Sequence, residues 1–395
     1  MIFFKKLFRH HKLLIIQLVF FMIVALSAPF LANEKPLIAG NNEETTFPIF
    51  EKGIFLSEKE FDWIVMPIIP YSQNTLDYNN THSIGPFSKQ DVKNLRYRHW
   101  LGTDELGRDI LSGIIHGART ALLVGLGSML IATIIGIILG ASAGFWGDFT
   151  IKIRPITFVT VPIGILIGYF LGFHQSLYRS EFSIIQFLAN QTFNLLVLIT
   201  FILLSILLGQ YLSRKLFYER KYNLPLDAIV SRIIELAKSL PSLFLILSLA
   251  AILEPSIWNI IWIIGVITWT GIARYCRAEV IKQKNTPYTE SVKALGFNNF
   301  YILLKHILPV TLQASTVYIV FGISGAILAE STLSFIGIGI QADEVSWGSI
   351  LAEARKSPSS WWLAVFPGAA IFYTLMLFNK LAVAIENQNG NNYTS

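Results

Sequence analysis

The residue types that most often bind metals or act as nucleophiles are few in this chain and are poorly spaced. The single cysteine, Cys276, excludes an intrachain disulfide and a cysteine-rich metal cluster. The seven histidines are scattered, and no two have the i, i+4 spacing by which one helix face holds a metal ion. The sequence therefore predicts no metal site and no catalytic residue.

Nucleotide chemistry is not predicted either. A P-loop needs Gly-x-x-x-x-Gly-Lys-Ser/Thr, because its backbone amides and its lysine surround the phosphates. A lysine precedes a serine only at Lys238 and Lys356, and Ala237 and Arg355 stand where the second glycine is required. The chain is predicted to hold no cofactor of its own.

Acidic residues beside apolar runs are the remaining candidates for a polar site. In the stretch 101–109, Thr103 or Asp104 is predicted to cap a helix whose first turn carries acids, which suits the positive end of the helix dipole. Glu330 lies at the end of an apolar run, where an ionisable group is a functional candidate. It either lines a solute path or pairs with polar groups near the membrane surface, and both interpretations stay open.

A third polar stretch, 286–309, separates two apolar runs. Thr286 can cap a helix with Pro287 at its first position, and Gly296 tolerates a left-handed turn. Pro309 lacks an N–H, so it bends or restarts the chain at the membrane surface. The pattern predicts a helical hairpin that projects into the cytoplasm.

The elements that must position these residues are membrane helices. Hydrophobic residues make up 53% of the chain and charged residues 14%, whereas soluble domains carry about a quarter charged. A span needs about 20 apolar residues. The sequence predicts an all-α polytopic membrane helical bundle with eight spans, at 13–32, 120–147, 155–178, 182–213, 229–253, 255–273, 306–329 and 357–379.

The distribution of basic residues predicts the orientation. Nineteen lysines and arginines fall in alternate segments that include the N-terminus, and three fall in the short loops opposite. By the positive-inside rule both termini are predicted to be cytoplasmic. A cleaved signal peptide is the alternative for the first run, which is long for that purpose. The basic residues lie between apolar runs, so no nucleic-acid partner is predicted.

Glycine recurs at every fourth residue in two of the apolar runs. This spacing lets helices approach closely in lipid, and it predicts helix–helix interfaces. The glycines concerned are Gly136, Gly140 and Gly144 in one run, and Gly164, Gly168 and Gly172 in the other.

The hairpin stretch resembles the EAA loop of binding-protein-dependent ABC importer permeases. That loop reads Glu-Ala-Ala, three residues, Gly, nine residues, and a hydrophobic-Leu-Pro close. Ser291 and Val292 replace the two alanines here, and His306 stands at the usual isoleucine position. The resemblance implies a set of ATPase-coupling residues, namely Glu290, Ser291, Val292, Ala294, Leu295, Gly296, Leu308 and Pro309.

Two further stretches are similar to the C-type permease subunit of the dipeptide/oligopeptide/nickel branch. They are 101–109 and 326–339, the latter followed by Ser346-Trp347-Gly348. The resemblance covers three parts of the chain. They are the first span, the stretch from about 95 to 149, and the stretch 226–384. The family-motif residues carried over are Gly102, Thr103, Asp104, Gly107, Arg108, Asp109 and Glu330.

Members of that branch usually have six spans, so two of the eight are interpreted as inserted. The predicted organisation, in chain order, is a cytoplasmic N-terminus with the first span (1–32), an extracytoplasmic segment (33–118), a second span (119–149), an inserted helix pair (150–225), a permease core (226–384) whose coupling loop is 277–310, and a cytoplasmic tail (385–395).

The resemblance implies the type I ABC importer transmembrane fold and a permease subunit of the bacterial cytoplasmic (inner) membrane. The subunit would form half of a translocation pathway for peptides or similar small solutes. Implied partners are a second, homologous permease in a heterodimer, two subunits that bind ATP and Mg, an extracytoplasmic solute-binding protein and membrane lipid. Glu290 would act as a charge or cap, Ala294 as a small docking face and Gly296 as the turn. The chain itself would not be an enzyme.

Three alternatives remain at this point. The first is import of nickel or another metal chelate by the same kind of permease. The second is a membrane scaffold that transports nothing. The third is a membrane enzyme, which would need paired acids or a nucleophile and base facing one another within the spans.

Overall fold

A computed structural model describes residues 11–40, 45–50, 61–150, 152–154, 156–174, 184–216, 222–339, 341 and 344–393. The basic residues of 1–10, Arg179, Arg220 and Lys221, which contribute to the predicted orientation, lie outside these ranges. The described helices are α1 Lys12–Leu26, α2 Ala28–Leu31, α3 Ile110–Trp146, α4 Thr157–Tyr169, α5 Ile184–Leu216, α6 Leu226–Ser239, α7 Ser242–Ile252, α8 Ile257–Lys284, α9 Pro287–Ala294, α10 Asn299–Ile302, α11 Leu308–Ile336, α12 Trp347–Lys356 and α13 Trp362–Tyr393.

Within the described residues, five helices are long and apolar enough to cross a membrane. Helices α6 and α7, which are bent relative to each other, make a sixth span if the pair is counted as one. The five are α3, α5, α8, α13 and the helix that includes α10 and α11. Helices α1 and α4 are apolar but shorter. Every predicted span coincides largely with helical structure over its described part, while the predicted count of eight is not confirmed.

The fifth predicted span differs in shape from the expectation. A single helix from Ile229 to Leu253 is predicted, but α6 and α7 meet at an angle of 79°. The break falls at Pro241, which has extended backbone and precedes α7. Proline cannot supply the N–H that a continuous helix requires, so the chain turns there.

The chain divides into two compact units, of which the first comprises 1–141 and 233–395. In this unit α11 packs against α8, α12 and α13, and α13 also contacts α1. Its apolar core includes Val124 of α3, Ile264 of α8 and Leu333 of α11, all fully buried. The predicted glycine interface is present, because a side chain at Gly140 would collide with the backbone of Ala273.

The second unit, 142–232, contains a pair of packed helices. Helix α4 lies along α5, and the predicted glycine stripe faces that partner: Gly164 abuts Ser205, and Gly168 abuts Leu198. The Thr160 hydroxyl donates to the Ser205 carbonyl at 2.8 Å. Two short strands, β4 (Lys152–Ile153) and β5 (Tyr222–Asn223), pair antiparallel beside the helices.

The long polar segment after α2 has little regular structure. Three short strands form an antiparallel sheet in the order β2-β1-β3, with β1 Ile38–Gly40, β2 Thr45–Thr46 and β3 Trp63–Val65. Turns and 3₁₀ segments follow and lead to α3. This segment therefore places residues 77–109 beside the start of α3, at the end of the bundle where α11 finishes.

Candidate functional site

The hairpin at 286–309 is built by local signals. Thr286 caps α9, since its side chain accepts a hydrogen bond from the Thr289 amide, and Pro287 occupies the first turn. Gly296 ends α9 with φ of +83°, and a side chain there would meet no other atom within 4 Å. Asn298 caps α10 by accepting from the amides of Phe300 and Tyr301. The predicted cap and left-handed turn are confirmed.

The second half of the hairpin runs directly into a membrane helix. After α10, a π-helical segment spans Leu303–Ile307, and α11 begins at Leu308 with Pro309 in its first turn. The predicted end of the helix before Pro309 is wrong, because 299–336 is one continuous helix with a π-helical turn just before the proline. At about 1.5 Å per residue, the 29 residues of α11 extend roughly 43 Å away from the hairpin.

The predicted coupling residues divide by exposure. Glu290, Ser291, Ala294, Leu295 and Gly296 are exposed. Val292 is buried at 7% exposure, so it supports the hairpin from inside. Leu308 is half-buried and Pro309 is exposed at the base.

The hairpin also exposes large apolar side chains. Leu295 is 75% exposed, Phe300 57%, Leu304 46% and Phe297 45%. A cluster of exposed apolar residues on a soluble surface is typical of a protein–protein contact. This surface could receive another chain, and it surrounds the exposed residues of the EAA-like stretch.

One hydrogen bond crosses the hairpin between residues that are distant in sequence. The Tyr288 hydroxyl lies 2.7 Å from Nδ1 of His306. Phe297 and Tyr301 also lie near the imidazole, with ring centroids 6.5 and 5.6 Å away. This pairing is not predicted from the sequence, because no motif or helical spacing links two residues that are 18 positions apart.

At the opposite end of α11, residues 101–109 form a tight turn. Asp104 Oδ1 accepts from the amides of Leu106 at 2.9 Å and Arg108 at 2.8 Å. Gly107 has φ of +85° and lies against the Asp77 backbone, where a side chain would collide. Burial raises the pKa of Asp104, although these amides and the Arg108 charge oppose the shift.

The predicted cap of the following helix is wrong in its position. Asp109, rather than Thr103 or Asp104, caps α3, because its Oδ2 accepts from the Ser112 amide at 2.7 Å. Thr103 donates its hydroxyl to the Asn80 carbonyl and accepts from the Ile84 amide. Because the turn occupies 101–109, α3 begins only at Ile110. Asp104 therefore stabilises the turn and does not cap the helix.

A buried histidine ties this turn to the preceding loop. His99 is fully buried; its Nδ1 lies 2.9 Å from Asp109 Oδ1, and its Nε2 lies 3.1 Å from Asp77 Oδ2. The Tyr71 ring stacks on the imidazole at 4.3 Å. Burial lowers the pKa of His99, but the hydrogen bonds and charges of Asp109 and Asp77 outweigh it, so the net pKa is raised.

Residues at and near the 346–348 motif pack onto residues at and near the 101–109 turn. The Trp347 indole donates to the Ile114 carbonyl at 2.9 Å, and the Trp362 indole donates to the Thr103 carbonyl at 3.1 Å. The Thr120 hydroxyl donates to the Val345 carbonyl at 2.8 Å. These contacts bring the neighbourhoods of the two motifs together, since Trp347 belongs to one motif and Thr103 to the other, and more than 200 residues separate the partners of each contact.

Glu330 lies within this packing and is only 1% exposed. Its carboxylate accepts from the Ser334 hydroxyl at 2.7 Å and from the Ser331 hydroxyl at 3.3 Å. In this conformation Glu330 pairs with polar neighbours and does not line an open path.

A cavity of about 300 Å³ lies beside the 101–109 turn and α12. Its charged wall includes two ion pairs, Arg108 Nε with Asp104 Oδ2 at 3.5 Å and Lys356 Nζ with Glu353 Oε1 at 2.9 Å. Within the described part of the chain, no group of three or more His, Cys, Asp or Glu side chains is placed to hold a metal ion.

Residues 202–387 match the family described as binding-protein-dependent transport system inner membrane component. The chain belongs to this family. The permease is therefore a multi-pass membrane component of an ABC importer, and it is not itself an enzyme. The family match contains the hairpin and Glu330, and it begins within the stretch 150–225 that is predicted to be inserted.

Curated relatives cover most of the permease. It is 24% identical over 397 residues to the peptidoglycan transport system permease protein YejE of Agrobacterium fabrum, covering 92% of this chain and 83% of the relative. It is 29% identical over 291 residues to the dipeptide transport system permease protein DppC of Bacillus subtilis, covering 73% and 67%. It is 28% identical over 290 residues to the oligopeptide transport system permease protein OppC of Haemophilus influenzae, covering 73% and 69%.

Permeases of this family act with ATPase and binding-protein partners. Two surfaces of this chain are candidates for such contacts, one at each end of α11. The hairpin is built from consecutive residues, so its sequence predicts it well. The assembly around His99 is not predicted, because Asp77 is 22 residues upstream and nothing in its local sequence marks it.

Proposed function

We propose that this permease forms half of a translocation pathway that carries peptides or similar small solutes into the cell. The names of the relatives, which refer to dipeptide, oligopeptide and peptidoglycan transport, support this class of solute. The other half of the pathway is a second, homologous permease, and an extracytoplasmic binding protein delivers the solute. No observation favours the nickel-chelate, scaffold or enzyme alternatives.

The hairpin at 286–309 is the docking element for a separate ATPase subunit. The observation that carries this proposal is the exposure of Leu295 and Phe300 beside the exposed EAA-like residues. Burying such side chains in a cleft of a partner contributes about 1.5–3 kcal/mol each. ATP and Mg²⁺ bind to the two ATPase subunits, whose closure moves the hairpin and with it α11.

Docking is tested by charge insertion into the exposed apolar surface. Leu295→Asp and Phe300→Asp are expected to remove the ATPase subunits from the purified complex, because an aspartate in an apolar cleft is costly. Ile68→Asp is the matched control, since Ile68 is 77% exposed but lies in the segment before α3. Normal ATPase recovery with both hairpin variants would contradict the docking role.

The orientation is tested by cysteine labelling. The native Cys276 is fully buried, so it should not react with a membrane-impermeant maleimide. In the permease expressed without its ATPase subunits, Leu295→Cys should be labelled only when the cytoplasmic side is open, and Ser88→Cys, in the opposite loop, also in intact cells. Labelling of Leu295→Cys in intact cells would overturn the proposed topology.

The transport function is tested in proteoliposomes that contain the permease, its homologous partner and two ATPase subunits. With the binding protein outside and ATP enclosed on the side of the ATPase subunits, a labelled tripeptide should accumulate across the membrane. A nickel chelate is the comparison solute. Uptake of the chelate but not of the peptide would replace the proposed solute class, and uptake of neither would contradict import.

A further inference from the structure

The Tyr288–His306 hydrogen bond joins the two halves of the hairpin. Tyr288 belongs to the first turn of α9, and His306 belongs to the π-helical segment that leads into α11. The distance between the hydroxyl and Nδ1 is 2.7 Å, which is typical of a well-formed hydrogen bond from a hydroxyl group. The contact therefore connects the docking helix to the base of a membrane helix.

The imidazole has a defined environment that fixes its orientation. The rings of Tyr288, Tyr301 and Phe297 lie within 5.6–6.5 Å of it, centroid to centroid. The Lys305 ammonium lies 5.3 Å from the centre of the Tyr301 ring, a distance at which a cation is attracted to the ring face. Aromatic neighbours of this kind restrict ring rotation, so Nδ1 stays directed at the Tyr288 hydroxyl.

Other hydrogen bonds attach α9 to the preceding helix instead. The hydroxyls of Thr286 and Thr289 both donate to the Gln283 carbonyl at 2.8 Å, at the end of α8. Along the chain, α9 reaches α11 only through the exposed Gly296 turn and α10. A force on α9 therefore reaches α11 through the packing of α8 and α10 and, directly, through the Tyr288–His306 contact, which bypasses the turn.

We propose that Tyr288 and His306 are positioning residues that transmit movement of the docking helix α9 to the membrane helix α11. This inference rests on the proposed docking of an ATPase at the hairpin. The two residues contact neither nucleotide nor solute. Their role is to keep α9 and the start of α11 moving as one body, so that each ATP hydrolysed moves the pathway helices.

The experiment measures solute translocated per ATP hydrolysed by the complete complex in proteoliposomes. Tyr288→Phe keeps the ring and removes only the hydroxyl, and it should lower this ratio about two- to tenfold, the factor that corresponds to one hydrogen bond. Tyr301→Phe is the matched control, because the Tyr301 hydroxyl makes no hydrogen bond within the described residues. It should leave the ratio unchanged.

Substitutions at His306 separate a specific contact from general packing. In His306→Asn the side-chain amide reaches the position of Nδ1 and can accept from Tyr288, so the ratio should stay near that of the wild type. In His306→Gln the amide lies one methylene further out, near the position of Nε2, and the ratio should fall as in Tyr288→Phe. Combining Tyr288→Phe with His306→Gln should cause little further loss.

Several outcomes would overturn the inference. An unchanged ratio in Tyr288→Phe would do so, as would equal impairment by His306→Asn and His306→Gln. Loss of the ATPase subunits from the Tyr288→Phe complex would assign the contact to assembly instead. Failure of the wild-type hairpin to bind an ATPase would instead contradict the proposed function, and copurification distinguishes that result from loss of coupling.

Discussion

The Trp347 indole lies directly over Gly117, and this contact joins α12 to α3. A Cβ atom at Gly117 would lie about 2.5 Å from the indole ring and 3.2 Å from the Trp347 amide nitrogen. The indole also donates to the Ile114 carbonyl, one turn earlier in α3. The absence of a side chain at Gly117 therefore allows the tryptophan to bury both its ring and its N–H.

Gly117→Ala is expected to destabilise the permease. The added methyl must displace Trp347 and stretch its hydrogen bond, and overpacking of this kind costs about 1–3 kcal/mol. Gly368→Ala is the control, since a methyl there meets no atom within 4 Å. Thermal unfolding in detergent measures the difference. Equal melting temperatures for the two variants would show that the indole moves at no cost.

The assembly of His99 with two carboxylates predicts a defined pH dependence. The pKa of His99 is raised, so its contribution to stability is full below the unfolded-state pKa near 6.5 and is lost as pH rises through the higher folded value. Burial raises the pKa of Asp77, but its hydrogen bonds with Asn80 and His99 outweigh this, and the net pKa is lowered. The Asp77 contribution is present above about 3.8 and is lost as pH falls below it.

The wild-type melting temperature should therefore be highest at a pH above the ordinary aspartate pKa and below the raised pKa of His99. It should decline as the pH rises through the pKa of His99. His99→Gln should remove the histidine-dependent part of that decline and lower stability by about 3–5 kcal/mol, because Asp109 loses its buried cationic partner. Melting curves from about pH 4 to about pH 9, a range that brackets the ordinary histidine pKa, give both results. A variant with an unchanged alkaline decline would exclude His99 as its source.

Gly296→Ala tests the turn of the hairpin separately from its packing. At φ of +83° an L-residue costs about 1–2 kcal/mol, and no neighbouring atom would contact the new methyl. We expect weaker ATPase binding with little change in the melting temperature of the membrane helices. Gly325→Ala, also without a neighbour within 4 Å but within α11, should leave ATPase binding unaffected. Equal binding by the two variants would contradict the prediction.

Two substitutions of similar size at Glu330 should differ in their effect on the stability of the permease. Glu330→Gln keeps an acceptor oxygen for Ser334 and should be tolerated. Glu330→Leu leaves the Ser331 and Ser334 hydroxyls without that acceptor, and each unsatisfied buried group costs about 1–3 kcal/mol. Thermal unfolding and the yield of folded protein measure this. If Glu330→Leu were as stable as Glu330→Gln, the hydroxyl cluster would not be a structural element.

Features whose groups are close along the chain are the ones that sequence predicts well. The hairpin cap at Thr286 and the turn at Gly296 are each set by residues within one or two turns, so their types and spacing suffice. The fifth span is predicted less well. A hydropathy pattern predicts a continuous helix through Pro241, because the residues around it are apolar. Hydropathy carries no information about the backbone N–H that proline lacks.

By itself, the sequence determined that this is a polytopic helical membrane protein with an EAA-like hairpin, since apolar length and local motifs follow directly from residue order. Only the tertiary structure decided that Tyr288 pairs with His306, that His99 lies between Asp77 and Asp109, and that Glu330 is enclosed by hydroxyls. The partners in the first two cases are 10 to 22 residues apart, beyond the reach of local spacing rules. Glu330 is buried only because separate helices pack around it, and this packing is not encoded in the residues next to it in sequence.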